Sequence, residues 1–121
     1  MYDAGRSMRI ISQKNGCILA SRAEVARGSL ARLRGLIGRR SLDEGSALII
    51  PGCKQVHTFL MRFPIDVIFA DRANRVLLAV QKLAPCRVTR YCRRASCAIE
   101  LPAGTLAAAG IQPGDILKIE G

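Results

Sequence analysis

The chain has 121 residues, half of them hydrophobic, with three phenylalanines, two tyrosines and no tryptophan, so it suffices for one domain with one modest core of Ile, Leu, Val and Ala and is too apolar to be disordered. Its 19 Lys and Arg against 9 Asp and Glu give a net charge of +10, which attracts a polyanion or an anionic membrane, although an Arg-rich proteome produces the same balance on a merely solvated surface. No apolar run approaches the ~20 residues that span a bilayer, and Met1 to Met8 lack the apolar stretch of a signal peptide, so a cytoplasmic location and no transmembrane segment are expected.

In chain order, the apolar runs Ile10-Ile11 and Cys17 to Ala20 flank Asn15-Gly16, two residues that tolerate positive φ, and predict an N-terminal hairpin over about 9–20. Ser21, with Glu24 three residues later, has the capping-box pattern and predicts a helix from about Arg22 to Leu33, weakened by Gly28. Gly35 and Gly38 then either cap that helix and turn the chain, which is the preferred reading, or offer N–H groups to an anion. Ser46 to Ile50 reads as a buried strand ended by a turn at Pro51-Gly52.

After the turn, Val56, Thr58 and Leu60 alternate with His57, Phe59 and Met61 as in a strand, until Pro64 interrupts the pairing. Ile65 to Ala70 and Val76 to Val80 predict a hairpin turning near Asn74. Lys82 to Ser96 is an exposed, Arg-rich excursion with at most one short strand, and Cys97 to Leu101 is a strand. Pro102 to Gly110 predicts a short helix with Gly110 at its C-terminal end, after which Gln112-Pro-Gly-Asp115 turns into a last strand, Ile116 to Ile119. This order predicts a single domain over 1–121 that is mostly β: a compact antiparallel β-barrel or sandwich with two short peripheral helices.

The stretch from Val56 to Asp71 holds the only histidine, all three phenylalanines and two carboxylates. His57 is the natural general acid–base candidate near neutral pH. Asp66, or Glu100 within the otherwise apolar strand Ala98 to Leu101, would be its partner in a hydrolase-type site. Thr58, Ser96, Cys53 and Cys86 are equal candidates for a nucleophile, which singles out none. Arg62, beside the Pro64 break, could leave the sheet and bind a carboxylate or phosphate bidentately, or form a surface ion pair with Asp66 or Asp71 worth ~0–1 kcal/mol.

One histidine with dispersed carboxylates signals no metal site, and no cofactor motif is present. Five cysteines without a Cys-x-x-Cys spacing indicate reduced, structural thiols, with Cys86, Cys92 and Cys97 as an alternative redox or metal trio beside arginines. Asp115, after Pro113-Gly114, is expected to fold its side chain onto turn N–H groups.

Three functional readings result. The leading one is a small cytoplasmic binding module with a polar cleft, lined by His57, Met61, Arg62, Asp66 and Glu100, for a small or anionic ligand. The second is a hydrolase-type enzyme using His57 with Asp66 or Glu100. The third is an RNA or anionic-surface binder through Arg87, Arg90, Arg93 and Arg94, with Tyr91 as a single stacking ring; no recognised RNA-binding signature accompanies them.

Four blocks, Arg34-Gly-Leu-Ile-Gly-Arg39, His57-Thr-Phe-Leu-Met-Arg-Phe-Pro-Ile-Asp-Val-Ile-Phe-Ala-Asp71, Glu100-Leu-Pro-Ala-Gly104 and Gly110-Ile-Gln-Pro-Gly-Asp115, together resemble the bacterial and archaeal family known as domain of unknown function 192. The resemblance runs from about Ser21 to Ile119 and rests on the order and spacing of the blocks. It implies a compact, mostly β domain and no established activity. The chain departs from the family pattern at Leu60, where a glycine or an aromatic is expected, and at Cys86, where tryptophan is common; the second departure removes a ring from any stacking surface.

Overall fold

The computed structural model describes residues 7–26 and 42–121. The Asn15-Gly16 turn folds as its chemistry dictates. Strands β1 (Met8–Ser12) and β2 (Ile18–Val25) pair antiparallel around it, Gly16 takes φ +71°, and Asn15 Oδ1 accepts the Cys17 N–H at 2.9 Å.

The helix expected from Arg22 does not begin there. Ser21 to Val25 are the second half of β2, and the Ser21 N–H bonds to the Gly45 carbonyl at 3.0 Å. The capping-box signal is local, whereas Leu19, Ala20 and Ala23 reach the core only when this segment lies extended between two neighbouring strands. The remainder of the expected helix, with Gly35, Gly38 and the Arg34–Arg39 block, lies outside the described residues.

The other strands are β3 (Ser46–Pro51), β4 (Ile65–Ala70), β5 (Val76–Leu83), β6 (Cys97–Pro102) and β7 (Leu117–Glu120). They form one seven-stranded sheet in the order β5-β4-β6-β3-β2-β1-β7, curled into a half-barrel. Its edges, β5 and β7, meet at one corner through an Arg75–Ile116 bridge and the Leu117 N–H on the Asn74 carbonyl at 2.9 Å. The expected antiparallel arrangement holds for every pair but one: β2 and β3 are parallel, a pairing that requires a crossover, here the chain between residues 26 and 45. One helix, α1 (Thr105–Ala109), is present among the described residues, where two had been expected in the chain. No helix among these residues is long and apolar enough to cross a membrane.

Both faces of the central strands are covered, which is why Ile65 to Ala70 is apolar almost throughout and buried at every position. On one face Ile49, Ile68, Ile99 and Leu101 pack with Ile10, Leu19 and Leu117 and are closed by Leu106 and Ala109 of α1. On the other, Leu48, Ile50, Val67, Phe69 and Ala98 are closed by Val56, Met61 and Ala95, which come from the segments before β4 and before β6.

Those two segments form a unit of their own. The expected strand around His57 is not in the main sheet; residues 54–58 pair antiparallel with 87–92 as an irregular ribbon laid over the second face. Thr58 N–H donates to the Arg87 carbonyl at 2.8 Å, Thr89 N–H to the Val56 carbonyl at 2.8 Å, and Cys92 N–H to the Lys54 carbonyl at 2.7 Å. Between them His57 and Val88 form a bridge. The alternation expected of a strand holds from Val56 to Phe59, then breaks at Leu60, whose φ of +65° turns it outward and turns Met61 into the core. A left-handed φ explains why glycine would suit this position.

Candidate functional site

Thr58 is fully buried and staples the ribbon. Its hydroxyl donates to the Ala84 carbonyl at 2.6 Å and accepts the Arg87 N–H at 2.9 Å, while its carbonyl accepts the N–H groups of Cys86 at 3.0 Å and Met61 at 3.2 Å. Thr89 repeats the device, accepting the Val56 N–H at 2.9 Å through its hydroxyl. At the far end the Lys54 ammonium donates to the Arg93 carbonyl at 2.9 Å and the Ala95 carbonyl at 2.6 Å. Buried polar atoms that satisfy backbone partners make a loop pair rigid, and this one is held along its length.

The outward side of the ribbon carries the exposed groups. The rings of His57 and Phe59 stack at 5.1 Å with an interplanar angle of 27°, and the Phe59 N–H donates to His57 Nδ1 at 3.3 Å, which selects the Nε2–H tautomer of the neutral ring. Leu60 is 74% exposed, Tyr91 62% and Val88 49%. Arg62, Arg87, Arg90, Arg93 and Arg94 are exposed around them, and none makes an ion pair with a carboxylate among the described residues; the ion pair considered for Arg62 with Asp66 or Asp71 does not form.

The five residues expected to line one cleft are divided by the sheet. Asp66 pairs in register with Leu101 and points to the α1 face. It is fully buried, with Oδ1 accepting the Lys82 N–H at 2.8 Å and Oδ2 accepting those of Gly104 at 3.1 Å and Leu106 at 2.9 Å. Gly104 supplies no side-chain cap to α1, so Asp66 caps that helix from a neighbouring strand. Glu100 registers with Leu48 and Val67 and is buried on the ribbon face. Met61 is buried in the apolar cluster of that same face, and His57 and Arg62 are exposed above it. His57 and Asp66 are thus on opposite sides of β4, and Asp66 has both oxygens engaged.

The cysteine trio is also divided. Cys86 is exposed, Cys92 half-buried and Cys97 buried. Burial pushes the Cys97 thiol above its ordinary value, a hydrogen bond to Ala70 offsets part of this, and the nearby Cys53 and Asp71 add to the rise; an unreactive thiol is the consequence. Among the described residues no group of three or more His, Cys, Asp and Glu side chains could hold a metal ion. Asp115 does fold onto its turn, accepting the Gln112 N–H at 2.8 Å. The Lys14 ammonium at 2.8 Å, then that turn N–H, hold its carboxyl below the usual aspartate value.

A cleft of about 690 Å³ opens at the Lys54 end of the ribbon. Cys97 pairs with both Pro51 and Ala70, which brings the turns that follow β3 and β4 to the start of β6. Gly52, Lys54, Asp71, Arg72, Arg94 and Ser96 face the space between them. Sequence reasoning missed Lys54 and Arg72 as site residues. Both turns were legible, but their adjacency depends on the strand order. A smaller cleft of about 230 Å³ lies between residues 17–21 and the helix α1.

The family model described as DUF192, "Uncharacterized ACR", matches residues 10–119. Two solved structures are similar over nearly the whole chain. One is a protein of unknown function from Novosphingobium aromaticivorans, 22% identical, with a TM-score of 0.79 over 93% of this chain and 83% of the other. The second, described as a "putative transcription regulator" from Sinorhizobium meliloti, is 22% identical, with a TM-score of 0.77 over 92% of this chain and 90% of the other. At this identity the likeness concerns the fold. None of the curated proteins matches the chain.

Proposed function

This chain belongs to the DUF192 family, and from that premise, which supplies a fold and no activity, we propose that it is a small module that binds single-stranded nucleic acid along the outward side of the ribbon. One observation carries the reading. The Arg87–Arg94 segment, with Tyr91, is paired to the segment bearing His57 and Phe59. Single-strand binding needs cations that follow the phosphates and ring faces on which bases stack. Tyr91 alone is a thin platform; the stacked rings of His57 and Phe59, carried by the segment paired to it, add two more exposed ring faces to the ribbon. The net charge of +10 adds a longer-range attraction.

The division of the five cleft candidates favours this reading over a His57–Asp66 hydrolase, since general acid–base work requires those groups within hydrogen-bond reach or one water apart. The test is fluorescence anisotropy with labelled ten-nucleotide oligo-U and oligo-dT. Binding is expected to fall steeply with salt, with a slope of roughly −0.7 per phosphate contacted. Arg87→Ala and Arg90→Ala should each make that slope shallower, and Phe59→Ala should cost ~1–3 kcal/mol of affinity. A flat salt response, or affinity indifferent to all three changes, would remove the proposal; binding to phosphatidylserine vesicles without binding to either oligonucleotide would replace it with a membrane reading.

A further inference from the structure

The cleft at the Lys54 end of the ribbon has a charge pattern that the stacking surface lacks. Three cations, Lys54, Arg72 and Arg94, face it together with one carboxylate, Asp71. That leaves a formal surplus of two positive charges in a space of about 690 Å³, a size within the range of small-ligand pockets. A phosphomonoester carries roughly −1.5 to −2 charges at neutral pH and offers three acceptor oxygens, whereas each internal phosphodiester of a strand carries about one. The surplus therefore matches a terminal or free phosphate better than the body of a strand.

The groups around the cleft are held in ways that leave their donors available. Lys54 spends two of its three ammonium protons on the carbonyls of Arg93 and Ala95, which fixes the head group and leaves one donor. Asp71 is engaged with backbone: its Oδ1 accepts the N–H groups of Ala73 at 2.9 Å and Arg75 at 3.0 Å, so it builds the β4–β5 turn that carries Arg72. Arg72 approaches from the turn after β4 and Arg94 from the turn just before β6, both exposed and neither in an ion pair among the described residues. Two guanidinium groups on separate turns can each grip a phosphate through paired N–H donors.

We infer that this cleft is a binding site for a phosphomonoester. The inference extends the ribbon reading, because Arg94 belongs to both surfaces and a strand lying along the ribbon would end in the cleft, but it also holds for a free nucleotide. The chemistry has two sources, the phosphorylated end of a strand and a nucleoside monophosphate, and the experiment separates them. Arg72 is the discriminating residue, since it faces the cleft and lies outside the ribbon.

Anisotropy is measured with oligo-U carrying a 5′-phosphate, a 3′-phosphate or hydroxyl ends only, at one salt concentration, and calorimetry with UMP and with inorganic phosphate alone. One phosphorylated end should bind about tenfold more tightly than the hydroxyl-ended strand. Arg72→Ala should abolish that preference and leave the hydroxyl-ended strand unaffected, with Arg72→Lys restoring part of it; an unchanged thermal midpoint shows that the turn still folds. Hydroxyl-ended and phosphorylated strands bound equally, with no UMP binding that Arg72→Ala removes, would overturn the inference while leaving the ribbon reading intact. Arg72-dependent binding of UMP without binding of any oligonucleotide would support the site, identify the free monoester as its source and dismiss the ribbon reading. No binding in any arm rejects both.

Discussion

The two faces of the central sheet are closed by the same device and put to different uses. On one, Asp66 reaches from β4 to the N–H groups of Lys82, Gly104 and Leu106 and fastens the helix α1 over Ile68, Ile99 and Leu101. On the other, Thr58 fastens two loop segments over Phe69, Leu48 and Ala98. Each is a fully buried polar side chain that satisfies backbone partners, so neither is free to do chemistry. The difference lies in what is carried outside. The helix turns small residues, Ala107 and Ala108, to solvent, whereas the ribbon turns out His57, Phe59, Val88, Tyr91 and its arginines. Function is expected where the cover exposes rings and charges, not where the buried carboxylate lies.

The contrast can be broken most forcefully at Asp66. Asp66→Ala leaves the buried Leu106 N–H and the part-buried N–H groups of Lys82 and Gly104 without their acceptor and should destabilise the fold by ~3–5 kcal/mol, read by urea denaturation. Oligonucleotide binding by the folded fraction should be unchanged, and a stable variant that has lost binding would put Asp66 in the site after all. Thr58→Val keeps the side-chain shape, removes a donor and an acceptor, and should cost ~1–3 kcal/mol. Hydrogen exchange should quicken at the amides of Cys86, Arg87 and Thr89 and stay slow in β4 and β6, since the ribbon lies outside the main sheet.

Smaller effects sharpen the picture. Leu60 adopts a left-handed φ with no packing in return, being mostly exposed; Leu60→Gly relieves about 1 kcal/mol of strain, partly offset by the freer unfolded chain, so a gain of a few tenths is expected. Asp115 sets the smallest effect. Its carboxyl is depressed in the folded state, so its contribution is present above the usual aspartate value near 3.8 and is lost as pH falls through the lower folded value. Thermal midpoints measured from neutral pH into the acid range should decline less steeply in Asp115→Asn than in the parent, and Lys14→Met should have the same effect by removing the main cause of the shift.

Legibility followed the range of the interactions. The turns at Asn15-Gly16, Pro51-Gly52 and Asn74, the cap at Gly110 and the Asp115 turn were readable because positive φ and side-chain-to-backbone bonds are settled within a few residues. The buried run of β4 was readable from its nearly unbroken apolar, β-branched and aromatic residues. Ser21 to Val25 misled, because a capping box is local evidence and the pairing with β1 and β3 outweighs it. His57 was read as an acid–base candidate lining a cleft and the arginines as part of an exposed excursion, but not as members of one surface: the ladder joining them spans about thirty residues of sequence and is too irregular to leave a periodic trace.

By itself, then, the sequence determined a mostly β domain of a recognisable family, its turns, and the two segments rich in functional groups. Tertiary structure alone decided that Asp66 and Glu100 face opposite sides of the sheet, that the His57 and Arg87–Arg94 segments are paired, and that Lys54, Arg72 and Arg94 share a cleft. The physical reason is that local conformation follows from φ preferences and neighbouring side chains, while the facing of a strand residue and the meeting of two turns follow from register and strand order. Those are set by burying the whole core at once, and no single segment records them.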